Sequence, residues 1–465
     1  MNIPPLFNDP TRAWAPYEPN VKAPWDLARV AHLHRRAGFA ASWPVLQRDL
    51  KDGPESSVAR LFSGEPIAAD GRPASDFETL ADEMALQLAP GAGLTRLQAL
   101  WLYRMVFTGH PLRERMTLFW HSHFATSESK VKNAALMQRQ NDLFRTHALG
   151  DFKGLLGAIG KDPAMLIWLD STANRKARPN ENYAREVMEL FTLGRGHYSE
   201  KDVQEAARAF TGWFVTRDEF QEVASQHDAG PKSILGRSGS FDGDDIPEIL
   251  LGQKACAEFL CGKLVKAFVT DVDDVPLALI QPLAKLFRES GYDVKAPLTT
   301  ILKSNLFFDE SSRRRRVKSP VEFTVGTLRA LEVVKPTVQA DAIAEACGRM
   351  GQGLFAPPSV AGWDGGPAWA NSTAMLTRTN FAIALLGSDN PALGNRLDPL
   401  ALAKRHGATT PQDLGRFYAD LLVQDAFDRK VRESFEGAVK KAPNLAASAR
   451  EAATLVLNTP EYQLA

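Results

Sequence analysis

Apolar side chains recur every three or four positions through most of the chain, the spacing of one buried face of an α-helix. The first such segment covers residues 25–36 and ends before Gly38, a residue type that commonly follows a helix. The pattern predicts a mainly α-helical protein, with one large multi-helix domain over residues 25–462. Further helices are predicted at 43–50, 77–89, 94–108, 111–124, 132–146, 152–159, 163–169, 180–190, 202–210, 246–251, 254–269, 276–290, 297–307, 320–334, 339–350, 373–386, 399–406, 411–425, 428–440 and 444–457.

Four segments interrupt the helical pattern. Residues 1–24 hold six prolines, so we expect an extended N-terminal arm that lies on the body. Residues 213–236 alternate apolar and polar side chains, which predicts a small β-hairpin insertion. Residues 63–76 are predicted to be a loop, and residues 351–372 form a long loop rich in Gly, Pro and Trp. A loop of the latter length is commonly functional or pinned to the core.

A polar face is predicted on the helix at 180–190. Asn182, Glu186 and Glu189 fall at positions i, i+4 and i+7 and therefore share one side of a regular helix. Neighbouring carboxylates at such spacing occur in metal sites of helical bundles. The same residues also suit a solvated face with ion pairs, since Glu181 and Arg185 are four positions apart. Both interpretations stay open.

His121 and His123 form a His-x-His pair between aromatic residues. This spacing can bring two imidazoles to one metal ion if the backbone is extended. On a continuous helix the two side chains diverge by ~200°. The aromatic neighbours favour a buried or cleft-lining position. The pair is therefore either two hydrogen-bonded core histidines or a site with a functional role for at least one of them.

Three further groups lie in predicted loops. His227 beside Asp228 could act as an acid–base pair or belong to a turn. The arginines at 313–316, with Lys318, could bind an anion, or they could be a solvated basic turn before the next helix. Trp363 belongs to the long loop and could cover a site or anchor that loop to the core.

The composition excludes several classes of protein. Lys+Arg and Asp+Glu both number 55, and this balance argues against a general nucleic-acid binder. Three scattered cysteines make no disulfide framework or zinc motif. We find no leader and no apolar run of about 18 residues, so we expect a cytoplasmic protein without a membrane span. The common nucleotide-binding, serine-hydrolase and zinc-protease motifs are also missing.

Several stretches of the sequence resemble the bacterial family catalogued as domain of unknown function 1800 (DUF1800). The resemblance runs from about Trp25 to Tyr462, and it implies the fold without supplying a reaction. Members are often encoded beside a sulfatase-like family, which is therefore the implied partner, and many appear exported. The matching stretches are residues 32–39, 115–124, 163–166, 169–170, 179–213, 227–228, 317–322, 357–369, 372–380 and 458–462.

Together these observations favour a metal-dependent enzyme of hydrolase type, with a divalent metal ion as the expected cofactor. The alternative is a non-catalytic helical scaffold, in which the polar residues form a buried ion-pair network and the Trp-rich loop docks a partner protein. In the enzyme hypothesis the metal ligands are His121, His123, Glu186 and Glu189, the catalytic residues are His227, Glu181 and Arg185, and the substrate-binding residues are Asn182, Arg185, Lys318 and Trp363.

Overall fold

The computed structural model describes residues 5–64, 74–88, 93–272, 274–333, 339–387, 392–393 and 397–465. Within these ranges it contains 26 α-helices, one π-helix and two small two-stranded sheets, so the predicted mainly α-helical fold is confirmed. Most of the loop predicted at 63–76 lies outside the described residues. None of the helices in the described part of the chain is long and apolar enough to cross a lipid bilayer.

The helices follow the predicted segments closely. In the first half they are α1 (Pro10–Trp14), α2 (Leu27–Gly38), α3 (Trp43–Asp52), α4 (Pro54–Ser63), α5 (Ala74–Leu88), α6 (Leu94–Phe107), α7 (Pro111–His123), α8 (Glu128–Val131), α9 (Ala134–Thr146), α10 (Phe152–Gly160), α11 (Pro163–Trp168), α12 (Asn182–Glu186) and α13 (Glu200–Ala209). In the second half they are α14 (Ile246–Leu251), α15 (Lys254–Phe268), α16 (Leu277–Glu289), α17 (Lys295–Lys303), α18 (Asn305–Phe308), α19 (Pro320–Ala330), α20 (Ala340–Arg349), α21 (Ser372–Leu386), α22 (Pro399–Arg405), α23 (Pro411–Val423), α24 (Arg429–Lys441), α25 (Leu445–Leu457) and α26 (Pro460–Gln463).

Side-chain caps fix where several helices begin. Ser319 accepts a hydrogen bond from the Glu322 N–H (3.1 Å), and the Glu322 carboxylate accepts one from the Ser319 N–H (2.7 Å). Pro320 occupies the first helical position, where its missing N–H is not needed. Ser199 and Asp202 form the same reciprocal cap. These pairs satisfy backbone N–H groups that the helix itself leaves free.

The β insertion consists of two antiparallel hairpins. In the first, Arg217 and Asp218 form the turn, and both have positive φ, as a tight two-residue hairpin turn requires. The second hairpin extends slightly beyond the predicted 213–236. The strands are β1 (Trp213–Thr216) paired with β2 (Glu219–Glu222), and β3 (Lys232–Ile234) paired with β4 (Arg237–Gly239).

Two hydrophobic clusters form the interior. The first is built mainly from α7, α10, α11 and α15 to α18, and the second from α6, α19 to α21, α23 and α25. Helix α2 contributes Leu33 and Ala37 to the first cluster, and Val30 and Ala31 to the second. Charged side chains on α2 are therefore buried where the two clusters meet.

A single domain over 25–462 stays a prediction.

The N-terminal arm, predicted to be extended, contains α1 and packs on the body. Phe7 is buried in the first hydrophobic cluster. Trp14 Nε1–H donates to the carbonyl of Leu279 (2.7 Å), and the Tyr17 N–H donates to the carbonyl of Lys303 (2.8 Å). These contacts hold the arm against α16 and α17.

Candidate functional site

Helix α12 does not continue as a regular α-helix. From Val187 to Thr192 the chain widens into a π-helix, and the Leu193 N–H bonds to the carbonyl of Met188 (2.8 Å). A π turn holds one residue more than an α turn and is frequent at functional sites. Here the carbonyls of Leu190 and Phe191 accept hydrogen bonds from side chains on other helices. The regular helical face predicted for this stretch is therefore interrupted.

Arg185 and Asn182, predicted to bind substrate, have protein partners. The Arg185 guanidinium donates to Glu200 (2.7 and 2.9 Å) and to Glu181 (3.0 Å), and these bonds raise its pKa. Asn182 Nδ2 lies 3.3 Å from a carboxylate oxygen of Asp170. Arg185 is thus already neutralised by two carboxylates at the surface, which agrees with a face carrying ion pairs.

Glu186 and Glu189 differ in their surroundings. Glu189 accepts hydrogen bonds from Tyr198 Oη (2.7 Å) and Arg195 Nε (2.6 Å), and both lower its pKa. Glu186 is half-buried and has no hydrogen-bond partner among the described residues. Its pKa is raised, first by burial and then by the neighbouring Glu189. Glu186 is therefore the carboxylate of the predicted set that keeps free oxygens.

His121 is a neutral histidine within an aromatic cluster. Its Nε2 accepts a hydrogen bond from the Phe355 N–H (3.0 Å), and its ring contacts Trp101 and Trp363. Burial lowers the pKa of His121 to about 3. Because Nε2 already accepts the Phe355 N–H, Nδ1 carries the proton of the neutral ring.

His123, on the same helix, points to a different neighbour. Its Nε2–H donates to the carbonyl of Phe191 in the π-helix (3.0 Å), and its Nδ1 accepts from Lys263 Nζ (3.1 Å). Burial and then the Lys263 charge lower the pKa of His123. Lys263 Nζ also donates to the carbonyl of Leu190 (3.1 Å), and burial lowers its pKa to about 8. Both ring nitrogens of His123 are engaged.

The predicted metal ligands do not meet. Throughout the described ranges, no group of three or more His, Cys, Asp and Glu side chains has a geometry that could hold a metal ion. His121 faces the loop at Phe355, whereas His123 faces the π-helix backbone. The metal site is therefore not confirmed and stays a prediction.

His227 belongs to the turn before β3. Its Nδ1–H donates to the carbonyl of Thr211 (3.0 Å), and the adjacent Asp228 accepts from Arg208 Nε (2.7 Å). Lys232 is 2% exposed, and its ammonium donates to the three carbonyls of Asp228, Gly230 and Phe241 (2.5, 3.1 and 2.6 Å). These contacts serve turn structure, and no hydrogen bond joins the described side chains of His227 and Asp228 to each other. A catalytic role for His227 stays a prediction.

Trp363 lies in the long loop and packs beside His121, with ring centroids 5.6 Å apart. Its neighbour Gly362 has φ 84° and approaches α7 closely, since a Cβ at this position would lie 2.7 Å from the carbonyl of Ser122. Only glycine fits such an approach without strain. The loop is therefore anchored to α7 at this point.

Basic side chains from four separate segments converge where α2, α7, α19 and α21 meet. All but Arg314 are less than a tenth exposed, and within the described residues the facing carboxylates are those of Asp271, Glu322 and Glu461. Positive groups therefore outnumber negative ones in a buried region of a protein with no net charge. We name as the cationic cluster Arg35, Arg36, Arg115, Arg314, Arg316, Lys318 and Arg378.

One side of the cationic cluster is paired with Glu322. Arg115 lies 2.8 Å from this carboxylate, and Arg316 also donates to it. Together with the N–H of Ser319, these groups hold the pKa of Glu322 at about 2, despite the opposing effect of burial. This side is a satisfied buried ion-pair network.

The other side of the cluster has neutral acceptors. Arg35 and Arg314 donate to the same amide oxygen of Gln424 (2.5 and 3.0 Å). Arg378 donates to the amide oxygen of Gln463 (3.1 Å) and to the backbone carbonyl of Lys318 (2.6 Å). Arg35 and Lys318 form no ion pair with any carboxylate in the described part of the chain. Neither side chain is therefore neutralised by a direct ion pair.

Lys318 lines a pocket on this unpaired side. Its side chain is 3% exposed, its Nζ lies 3.4 Å from the ring centroid of Tyr462, and no described residue accepts a hydrogen bond from it. Burial, followed by the charges of Arg35, Arg378 and Arg314, lowers its pKa well below the usual value, with a small opposing effect from the nearby Glu322. We call this space the cationic pocket. It encloses about 20 Å³ and opens to solvent, and it is lined by Arg35, Lys318, Gln424, Tyr462 and apolar side chains of α2, α3, α19 and α23.

The family model described as "Protein of unknown function (DUF1800)" matches residues 32–464. The chain belongs to this family. The match begins in α2 and ends just after α26, so it includes every residue of the cationic cluster. Searches of curated proteins and of solved structures returned no match.

Lys318 of this DUF1800 protein was predicted from the sequence to bind substrate, whereas its neighbours in the cationic pocket were not predicted. Arg35, Gln424 and Tyr462 come from distant parts of the chain and carry no local motif. The sequence of α2 carried no signal for the burial of Arg35, because most of its polar residues share one face, as on a solvated helix, and that face is buried in the structure.

Proposed function

We propose that this DUF1800 protein binds a small anionic ligand in the cationic pocket. Arg35 supplies the positive charge and Lys318 supplies an N–H donor. The observation that most supports this function is that the two basic side chains are buried, line one pocket and lack a carboxylate partner among the described residues. A bound anion supplies the missing negative charge.

The energetics favour such a ligand. Removing an ion from water costs several kcal/mol even after relaxation, and only an opposite charge with good hydrogen bonds offsets this. An anion about 4 Å from one guanidinium gains roughly 4 kcal/mol at an effective dielectric constant of about 20. The pocket encloses about 20 Å³, room for one water-sized group. The ligand therefore places one small anionic group in the pocket.

Thermal unfolding in the presence of simple anions tests this function. At constant ionic strength, acetate, lactate and phosphate are titrated against the full chain. We expect at least one of them to raise Tm with saturation, since a ligand at 100 times its Kd stabilises the folded state by about 2.7 kcal/mol. The absence of any saturable rise contradicts the proposal.

Matched variants locate the effect. Arg35→Met removes the pocket charge while keeping similar length, and Arg185→Met removes a surface charge that already has two carboxylate partners. We expect the anion-induced rise in Tm to be lost in Arg35→Met and kept in Arg185→Met. An equal rise in both variants places anion binding elsewhere.

The metal-dependent hydrolase remains a second, weaker proposal. Glu186 supports it, because its half-buried carboxylate has no described hydrogen-bond partner. The engaged nitrogens of His121 and His123 argue against a shared ion. Elemental analysis of the protein after metal titration, beside Glu186→Gln, tests it. A stoichiometric metal that Glu186→Gln loses is the expected result, and an unchanged metal content contradicts this site.

The scaffold alternative is supported by an apolar strip on α21. Leu376 and Ile383 lie seven positions apart on one face and are 63% and 51% exposed. A partner protein, such as the sulfatase-like protein implied by the resemblance, would cover them. Co-purification of the two proteins, lost in Leu376→Glu, is the expected result. Co-purification that Leu376→Glu does not change contradicts this surface.

The expected cytoplasmic location stays a prediction.

A further inference from the structure

A cleft separate from the cationic pocket lies between α23 and α24. A short turn at residues 424–428 joins the two helices, and both of them contribute side chains to the cleft. The cleft encloses about 280 Å³, whereas the cationic pocket encloses about 20 Å³. Ligand pockets begin at about 300 Å³. The cleft is therefore close to the lower limit for a ligand pocket and suits a molecule of amino-acid size.

Apolar residues form the floor of this cleft. The rings of Phe427 in the turn and Phe435 in α24 have centroids 5.3 Å apart, and Ala419 and Val439 lie beside them. Gly415 in α23 leaves space above Phe435, although a Cβ at this position would make an ordinary contact at 3.5 Å. Packing therefore does not require glycine here, and glycine destabilises a helix interior relative to alanine. Its effect is to keep the cleft open.

The rim of the cleft carries six charged side chains, three of each sign. Four of them are paired with each other. Arg432 donates to Asp425 (2.5 Å), and Lys440 Nζ lies 3.9 Å from a carboxylate oxygen of Glu436. Because these pairs are already neutral, they offer no uncompensated charge to a ligand.

The other two charged side chains, Arg416 and Asp420, have no such partner. Both line the cleft from α23, and neither side chain makes a hydrogen bond or an ion pair with a residue that the structure describes. Positions i and i+4 lie on the same side of a helix, with Cβ atoms about 5–6 Å apart. Asp420 is half-buried, and its pKa is raised, first by burial and then by the charge of Asp425. One positive and one negative group therefore stand side by side above an apolar floor.

We propose that this cleft binds a free α-amino acid with an apolar side chain. The carboxylate of the ligand accepts hydrogen bonds from the Arg416 guanidinium, its ammonium donates to the Asp420 carboxylate, and its side chain covers Phe427 and Phe435. A simple anion or a simple cation would leave one of the two charged groups unmatched. A zwitterion matches both, because an α-amino acid carries its two charges on neighbouring atoms of one carbon.

Isothermal titration calorimetry of the full chain tests this proposal with three ligands that share one carbon skeleton. L-leucine carries both charged groups, isoamylamine lacks the carboxylate, and isocaproate lacks the ammonium. We expect saturable binding of L-leucine, and binding weaker by about tenfold or more for the other two, since each loses a hydrogen bond between charged groups. Equal affinity for L-leucine and either analogue overturns the proposal, as does the absence of saturable binding of L-leucine.

Matched variants locate the binding site. Asp420→Asn keeps the shape of the side chain and removes its charge, and the variant should fold because burial already disfavours that charge. Asp420→Asn and Arg416→Gln should each weaken L-leucine binding by about tenfold or more. Glu433→Gln removes an exposed carboxylate on α24 that does not line the cleft, and it should leave binding unchanged. Unchanged binding in Asp420→Asn overturns the proposal.

The cationic pocket is the competing site for any carboxylate, and Arg35→Met separates the two sites. This variant should keep its affinity for L-leucine while it loses the anion-induced rise in Tm. L-leucine binding that Arg35→Met loses and Asp420→Asn keeps belongs to the cationic pocket, and that result overturns the amino-acid site between α23 and α24.

Discussion

Glu322→Gln removes the carboxylate that neutralises one side of the cationic cluster. In the folded protein the pKa of Glu322 is about 2, compared with a usual value of 4.5. At about 1.4 kcal/mol per pKa unit, this difference corresponds to ~3 kcal/mol of folding free energy. Breaking a buried ion pair by removing one partner typically costs a similar ~3–5 kcal/mol. We therefore expect the variant to lose about 3 kcal/mol of stability at pH 7.

The pH dependence of this loss has a definite sign. Because the folded state lowers the pKa of Glu322, its contribution is complete above pH 4.5 and disappears as the pH falls towards 2. Urea unfolding followed by circular dichroism measures the free energy of unfolding of the native protein and of Glu322→Gln. The difference between the two values should become smaller as the pH falls over this range. Glu200→Gln removes an exposed carboxylate and should leave stability unchanged. Equal stability of Glu322→Gln and the native protein at pH 7 refutes this account of the cluster.

Three other predictions follow from buried polar groups. Acylation of Lys318 should rise less steeply between pH 7 and 9 than acylation of surface lysines, which have pKa values near 10.4 and should react roughly tenfold faster per pH unit, because burial lowers the pKa of Lys318; equal slopes in a peptide-resolved time course contradict this lowered pKa. His121→Leu leaves the Phe355 N–H without its acceptor and should cost ~1–3 kcal/mol in urea unfolding; no loss means that the N–H finds another partner. Lys232→Met deprives three carbonyls of their donor and should speed hydrogen exchange in the second hairpin; unchanged exchange there refutes its role.

Much of the fold could be predicted because it depends on local spacing. The 3.6-residue period located most helices, and cap residues such as Ser319 and Ser199 marked where two of them begin. The alternation at 213–236 correctly indicated the β insertion. Local rules were less useful for the N-terminal arm, where the prolines suggested extended chain but Pro10 begins α1. Proline is compatible with the first turn of a helix as well as with extended backbone.

The site was harder to predict because its contacts are distant in sequence. Arg35 and Gln424 are 389 positions apart, and no periodic pattern connects them. The polar face of Asn182, Glu186 and Glu189 was derived from a regular helix, whereas the chain becomes a π-helix at Val187. Spacing alone also cannot tell that the neighbouring Arg185 pairs with Glu200. Lys318 was identified, but its unpaired state depends on tertiary contacts.

The π-helix has a consequence for how the gene can vary. Losing one codon within Val187–Thr192 would convert the wide turn into an ordinary α turn, so the flanking segments would keep their orientation. The same loss in the middle of a regular helix rotates everything beyond it by about 100°. The deletion would break two hydrogen bonds, since the carbonyls of Leu190 and Phe191 would turn away from Lys263 and His123. A natural variant with that deletion should therefore also have replaced these two side chains.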